Sequence, residues 1–171
     1  MMNKVWWNTF ATIDLKYATI TVRDGSSTPN SIEVKIGEGN LTYSEKVERI
    51  YELDRGKLDT VRDGDEQPVD VSFDFQWEYI TTLSSATVPT LEDALKRVGA
   101  ASGWVSTDTD ACAPYAVDIQ IEYVPNCQPT GNSETITLAD FRYEELNHDL
   151  RNASIACTGK CNVTEATAVR S

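Results

Sequence analysis

Residues 69–79 read Val-Asp-Val-Ser-Phe-Asp-Phe-Gln-Trp-Glu-Tyr, with an apolar side chain at every odd position and a polar one at every even position. Successive strand side chains point to opposite faces, so Val69, Val71, Phe73, Phe75, Trp77 and Tyr79 share one side. A helix would scatter the same residues around its axis, and the period therefore selects a half-buried strand. Val117 to Tyr123 repeats the pattern, and Ile32, Val34 and Ile36 alternate with Glu33 and Lys35 ahead of a Gly37 to Asn40 turn. The chain holds 14 Val, 10 Ile and 19 Thr, 43 of its 171 residues, and β-branched side chains suit a pleated surface better than a helix. The expectation is a mainly β protein, a sandwich or barrel of antiparallel strands.

Further strands are expected at Leu15 to Arg23, where the phase slips at Ala18-Thr19. Others follow at Leu41 to Leu53, at Thr135 to Tyr143, at Ala153 to Cys157 and at Cys161 to Val169. Leu41 to Leu53 also has a partial helical face (Tyr43, Val47, Ile50, Tyr51), but the short Gly39-Asn40 connection favours a hairpin. One helix is expected over about 90–98. Thr90 is a fitting N-cap, Glu92 and Asp93 sit at the positive end of the dipole, Lys96 and Arg97 at the other, and Gly99 is a natural stop. Two connections are long, Asp54 to Pro68 and Ala100 to Pro114, a length at which loops are usually functional or disordered. No repeat or composition break divides residues 1–171, so a single domain is expected, with 1–14 as an N-terminal arm.

Charge narrows the function. With 27 acidic and 15 basic residues the net charge is −12, which opposes wrapping of nucleic acid and attraction to an anionic membrane. No apolar run approaches the ~20 residues that span a bilayer, and Val5-Trp6-Trp7 is too short for a signal-peptide core. Synthesis in the cytoplasm, without membrane insertion, is the expectation. Between Glu52 and Glu78 lie nine acids and three bases, so that this segment supplies −6 of the total. Either it is a solvated outer face, or a surface that avoids another polyanion. The segment's mixed charges, Asp54, Asp59, Asp63, Asp65 and Glu66 against Arg55, Lys57 and Arg62, suit docking to a copy of the chain.

No catalytic constellation stands out. His148 is the sole histidine, with no nucleophile elbow, phosphate loop or HExxH motif beside it, and reads as structural. An enzyme is not expected, nor a cofactor. Cys112, Cys127, Cys157 and Cys161 lack the paired CxxC spacing of a zinc site. In Cys157-Thr158-Gly159-Lys160-Cys161 a hairpin turn with Gly159 at positive φ would let Cys157 and Cys161 close a disulfide, provided their Cα atoms lie within about 7 Å. Buried free thiols are the ordinary alternative. Asn40, Asn152 and Asn162 match the glycosylation acceptor pattern, which means little without a secretory signal.

The stretch Leu53 to Phe75, with Arg55-Gly56-Lys57-Leu58-Asp59 and Gly64-Asp65-Glu66-Gln67-Pro68, resembles the middle of bacteriophage tail tube (major tail) proteins. Phe141 to Leu150, followed by Gly159-Lys160-Cys161-Asn162-Val163-Thr164, resembles that family's C-terminal portion. The resemblance implies a β-sandwich or barrel with a flanking helix. It further implies a structural virion protein of the tail, in hexameric rings that stack into a tube and conduct double-stranded DNA into the host. Its partners would be copies of itself, a tape-measure protein, a tail terminator, baseplate or tip proteins and a sheath. On that pattern Leu41 to Leu53 and Val69 to Ile80 line the channel. Thr42, Ser44, Glu48, Glu52, Asp70, Ser72, Asp74, Gln76 and Glu78 would face an acidic lumen that hydrates DNA without binding it. The loop 54–68 would reach the adjacent ring. The rival expectation, from the residues alone, is a soluble β-sandwich adaptor held by disulfides, with Trp6, Trp7 and Trp104 lining a concave site.

Overall fold

The structure is a computed structural model and describes residues 12–37, 40–79, 87–125 and 133–171. Ten strands are present among them: β1 (Ala18–Arg23), β2 (Ser31–Glu33), β3 (Leu41–Ser44), β4 (Val47–Asp54), β5 (Lys57–Glu66), β6 (Val69–Gln76), β7 (Val117–Tyr123), β8 (Glu134–Asp149), β9 (Ser154–Cys161) and β10 (Thr167–Arg170). All pairings are antiparallel. Eight strands form one sheet in the order β2-β1-β7-β8-β9-β6-β3, with β10 against β8, while β4 and β5 pair only with each other. The sheet curls until its ends meet. Val34 N–H donates to Ile20 O and Gln76 N–H to Lys35 O, so the segment after β2 bridges β1 and β6.

The alternation read in residues 69–79 holds over β6, where Val69, Val71, Phe73 and Phe75 are buried. Phe73 packs on Phe75 and Phe141, ring centroids 5.8 and 5.9 Å apart. Val117 and Ile119 of β7 and Ile155 of β9 complete this core. β8 is sixteen residues long and serves two neighbourhoods. Its first part pairs with β7 and β10, its second with β9. The bend falls at Asp140, a bulge residue with φ of 55°.

The helix α1 (Leu91–Lys96) closes one end of the barrel through buried Leu91, Ala94 and Leu95. Thr90 and Asp93 form a reciprocal capping box. It ends earlier than the expected stop at Gly99, because Arg97 itself takes the left-handed cap at φ 55°. Gly99 then starts a separate 3-10 turn. His148 Nε2 bonds Glu92 Oε1 at 2.9 Å, and its ring meets Trp77 edge-on at 4.9 Å, which ties the helix to the end of β8. At the opposite end of β1, buried Asp24 accepts from Ser26, Asn30 and the Val105 amide. Burial opposes ionisation there, but these donors hold its carboxyl below the usual range.

Several expectations are corrected. Residues 15–17 are a 3-10 turn rather than strand, which accounts for the phase slip at Ala18. Leu41 to Leu53 is not one strand: β3 joins the main sheet and β4 leaves it. Residues 54–68 are not an irregular loop, since β5 occupies 57–66 and pairs along β4. Cys157 to Cys161 contains no turn either; it is the second half of the continuous strand β9. β6 ends at Gln76, and Ile80 lies outside the described residues.

Candidate assembly surface

Strands β4 and β5 continue from β3 and β6 as a two-stranded ribbon, through links of two residues each. The ribbon turns at Arg55 (φ 52°) and Gly56 (φ 82°), the left-handed pair that a tight hairpin needs. Apart from half-covered Ile50 and Gly64, every ribbon residue is exposed. One face nonetheless carries an apolar stripe: Tyr51 sits opposite Val61 and Leu53 opposite Leu58. These four are 56–75% exposed, where the core residues of β6 are at most 3%. Burying large apolar side chains contributes ~1.5–3 kcal/mol each, so this stripe forgoes in the free chain what the barrel has already gained.

The opposite ribbon face is charged, and much of that charge is satisfied internally. Glu52 accepts from Arg62 at 3.1 Å and Thr60 at 3.2 Å. Glu48 accepts from the Asp65 amide at 2.9 Å. Arg49 and Asp63, paired directly across the ladder, stand instead on the stripe's own face, next to Tyr51 and Val61. Asp54 lies 3.8 Å from Arg55. Lys57, Asp59 and Glu66 make no ion pair among the described residues, and Arg55 extends from the turn with its side chain 92% exposed. The charges expected to be free for docking thus divide into an internally paired shaft and a net-neutral tip, where Arg55 and Lys57 stand beside Asp54 and Asp59.

Of the nine residues expected to line a channel, six share one sheet face. Thr42 and Ser44 of β3 stand opposite Ser72 and Asp70 of β6. Asp74 and Gln76 continue the row, which β9 extends with Thr158 and Lys160. Glu48 and Glu52 belong instead to the ribbon, and Glu78 lies beyond β6, paired with Lys35 at 3.0 Å. The face is also less acidic than the alternation alone implies. Asp70 hydrogen-bonds Lys46 and lies 3.9 Å from Lys160, and the Lys46 bond leads in holding its carboxyl below the usual range. These two lysines were missed because neither falls on an acidic segment; Lys160 becomes visible once β9 is placed beside β6.

A third feature had no sequence signal. An apolar cleft of about 230 Å³ opens between β1, β3, β7 and β8, with Ile13, Leu15, Leu41, Tyr43, Ile121 and Ile136 among its walls. Its residues come from four distant stretches, so no local pattern announces it.

Cys157 and Cys161 are buried and free. Four residues along one strand separate Cα atoms by ~13 Å, far beyond disulfide reach. Burial pushes both thiols up to about 12, with Asp118 and Asp140 adding to the effect at Cys161. Gly159 between them is not a turn glycine. The Phe141 ring occupies the place where its side chain would stand. Trp104 is 5% exposed and part of the core, so it lines no concave aromatic site; Trp6 and Trp7 lie outside the described residues. No cluster of three His, Cys, Asp or Glu that could hold a metal occurs among the described residues. No described helix is long and apolar enough to cross a membrane.

No protein-family model and no curated protein matches the sequence. Solved structures do match. A chain of the sheath-tube complex, in its extended state, of an extracellular contractile injection system (PVC) superposes with a TM-score of 0.56 at 10% identity, over 100% of both chains. A chain of the same system's sheath/tube terminator structure gives 0.55 at 11% identity, over 94% of this chain and 99% of that one. At such identities the likeness is one of fold: a mainly antiparallel β architecture with a single short α-helix among the described residues, resembling tail-tube folds.

Proposed function

We propose that the protein is a structural subunit of a tail-like injection tube, in which copies form hexameric rings and the rings stack around a channel. The observation that carries this reading is the β4–β5 ribbon. Among the described residues it has two unpaired edges and an apolar face with no cover, a combination that free soluble proteins ordinarily blunt or bury. Ribbons from neighbouring copies that pair edge to edge would close a second, inner barrel and remove the open edges. Tyr51 and Val61 would then turn toward the barrel bodies, and Glu48, Glu52 and Arg62 toward the channel.

The fold likeness to chains of a sheath–tube complex and a tube terminator supports the same reading. It suggests partners of that kind, a sheath and a terminator, and the family resemblance of the sequence adds a baseplate and a tape-measure protein within the bore. A channel wall that is acidic but internally paired would remain hydrated and offer phosphates no row of free cations. Double-stranded DNA would pass without the counterion release that drives binding. No enzymatic role is proposed.

Negative-stain microscopy and sedimentation of the purified chain test the proposal. Rings or tubes are expected. Tyr51→Asp with Val61→Asp should leave the circular dichroism of a folded barrel while abolishing annular particles. A wild-type chain that stays monomeric at all concentrations, or a double variant that still forms rings, would overturn it.

A further inference from the structure

Among the described residues the barrel has a cap at one end. Where β7 begins, α1 lies across the core, and the Tyr115 hydroxyl donates to Ala94 O at 3.0 Å. Where β7 ends, the same interior face opens into the cleft between β1, β3, β7 and β8. Burial falls off toward that mouth. Ile119 and Leu138 are fully buried, and Ile121 and Ile136, the next cross-strand pair, are only half-covered. At the rim Tyr43, Leu15 and Ile13 are 37%, 44% and 48% exposed. The cleft, about 230 Å³, is smaller than the ~300–1,000 Å³ sites that take drug-sized ligands. It has the scale of a large apolar side chain.

Three segments outside the described residues adjoin these walls along the chain. Residues 38–39 (Glu-Gly) lead toward β3, and residues 126–132 (Asn-Cys-Gln-Pro-Thr-Gly-Asn) join β7 to β8. Neither carries a large apolar side chain. Residues 1–11 read Met-Met-Asn-Lys-Val-Trp-Trp-Asn-Thr-Phe-Ala and run directly into Ile13 and Leu15 of the wall. They hold no acid, so they bring no like charge to the two carboxylates of this mouth. Burial raises the Tyr43 hydroxyl's pKa, and the fields of those two, Glu45 and Glu134, raise it further.

We infer that residues 5–10 of the same chain fold back over this mouth, with Trp6 and Trp7 covering Tyr43, Ile121 and Ile136. Reach permits it. Five residues of extended chain carry Trp7 ~17 Å from Thr12, and the three strands β1, β7 and β8 span ~10 Å. Indole rings are the side chains that gain most from such cover. The short tether also selects this arm over that of a second copy, because an attached segment has a millimolar effective concentration at its own site. A filled mouth gives the barrel its second cap.

Disulfide closure within one chain tests this. Every chain carries Cys112→Ser and Cys127→Ser, with Cys157 and Cys161 buried. Asn8→Cys, which spares the aromatic residues, is combined with Glu134→Cys at the cleft or with Glu122→Cys. Glu122 adjoins Tyr123, the register partner of Glu134, and faces away from the cleft that Ile121 and Tyr123 line. Each combination therefore removes one carboxylate. In the monomer fraction, loss of free thiol under mild oxidation should be at least about tenfold faster with Glu134→Cys, since a seated arm raises the local thiol concentration. Adding Trp6→Ser and Trp7→Ser should bring that rate down to the one seen with Glu122→Cys. Equal rates with the indoles in place would overturn the inference, and so would a fast rate that survives their removal. Asn8→Cys in one chain linking to Glu134→Cys in another, faster than the double variant closes on itself, would overturn it in favour of a second copy's arm. Each readout is taken on the monomer, so it stands or fails separately from the tube.

Discussion

The barrel and the ribbon are built from similar alternating residues and have opposite fates. In β6 the alternate apolar face is covered by β7, β8 and β9, and Phe73 and Phe75 are at most 3% exposed. In β4 and β5 the alternate face is bare, and Leu58 is 75% exposed. Alternation therefore tells that a strand has two unlike faces; it does not tell what covers the apolar one. In the barrel the cover lies on the same chain. For the ribbon no cover stands among the described residues.

The contrast can be broken by mutation. Phe73→Ala removes a ring that touches Phe75 and Phe141, and should destabilise the monomer by about 3–5 kcal/mol in urea denaturation. Val61→Ser should change monomer stability by less than about 0.5 kcal/mol, as for an exposed site. Equal costs at the two positions would mean that the ribbon packs on the barrel in solution. Next in size is Gly159→Ala. Its Cβ would stand 2.1 Å from the Arg142 carbonyl oxygen and 2.7 Å from the Phe141 ring, so a loss of about 1–3 kcal/mol is expected by thermal melting. Alanine at Gly56, where nothing stands within 4 Å, meets no such wall, though its φ of 82° keeps some strain.

The smallest effect concerns Asp118. Burial raises its carboxyl's pKa, and nearby Asp140 adds to that; the Asp140 amide, Thr107 and Arg23 oppose it. A carboxyl raised in the folded state favours folding most below its unfolded pKa, and that advantage is lost as pH rises through the folded value. Asp118→Asn keeps an acceptor for the Asp140 amide at 2.9 Å and removes the charge. It should stabilise the protein at pH 7 by roughly 0.5–1 kcal/mol, a modest figure because the group is partly exposed and screened. The gain should vanish near pH 3; a gain that is the same at both pH values would show that charge is not its cause.

What could be read in the sequence follows from where each element finds its partners. β6 and β7 were legible because a residue's own neighbours declare its face. The ribbon's second strand was not, because Asp59, Asp63, Gly64, Asp65 and Glu66 are poor strand formers taken one at a time. Pairing with β4 overrides that preference. Thr158-Gly159-Lys160 has the composition of a turn, and only the position of Phe141, eighteen residues upstream, shows that the glycine makes room for a ring. Six of the nine expected channel residues fall on one face because β3 and β6 pair in register. Glu48 and Glu52 do not join them, because Leu41 to Leu53 is two strands in separate sheets rather than one.

The strand order also governs the sequence of events during synthesis. β1 meets the short β2 soon after it is made, but it also pairs with β7 in antiparallel register from Ala18–Tyr123 to Arg23–Asp118, so the first strand of the barrel waits for its second partner until almost a hundred residues later. At elongation speeds of ~5–20 residues per second, that delay is on the order of 5–20 seconds. A hairpin such as β4–β5 closes in ~1–10 microseconds. The exposed ribbon is thus able to pair with itself before the nascent barrel can shut.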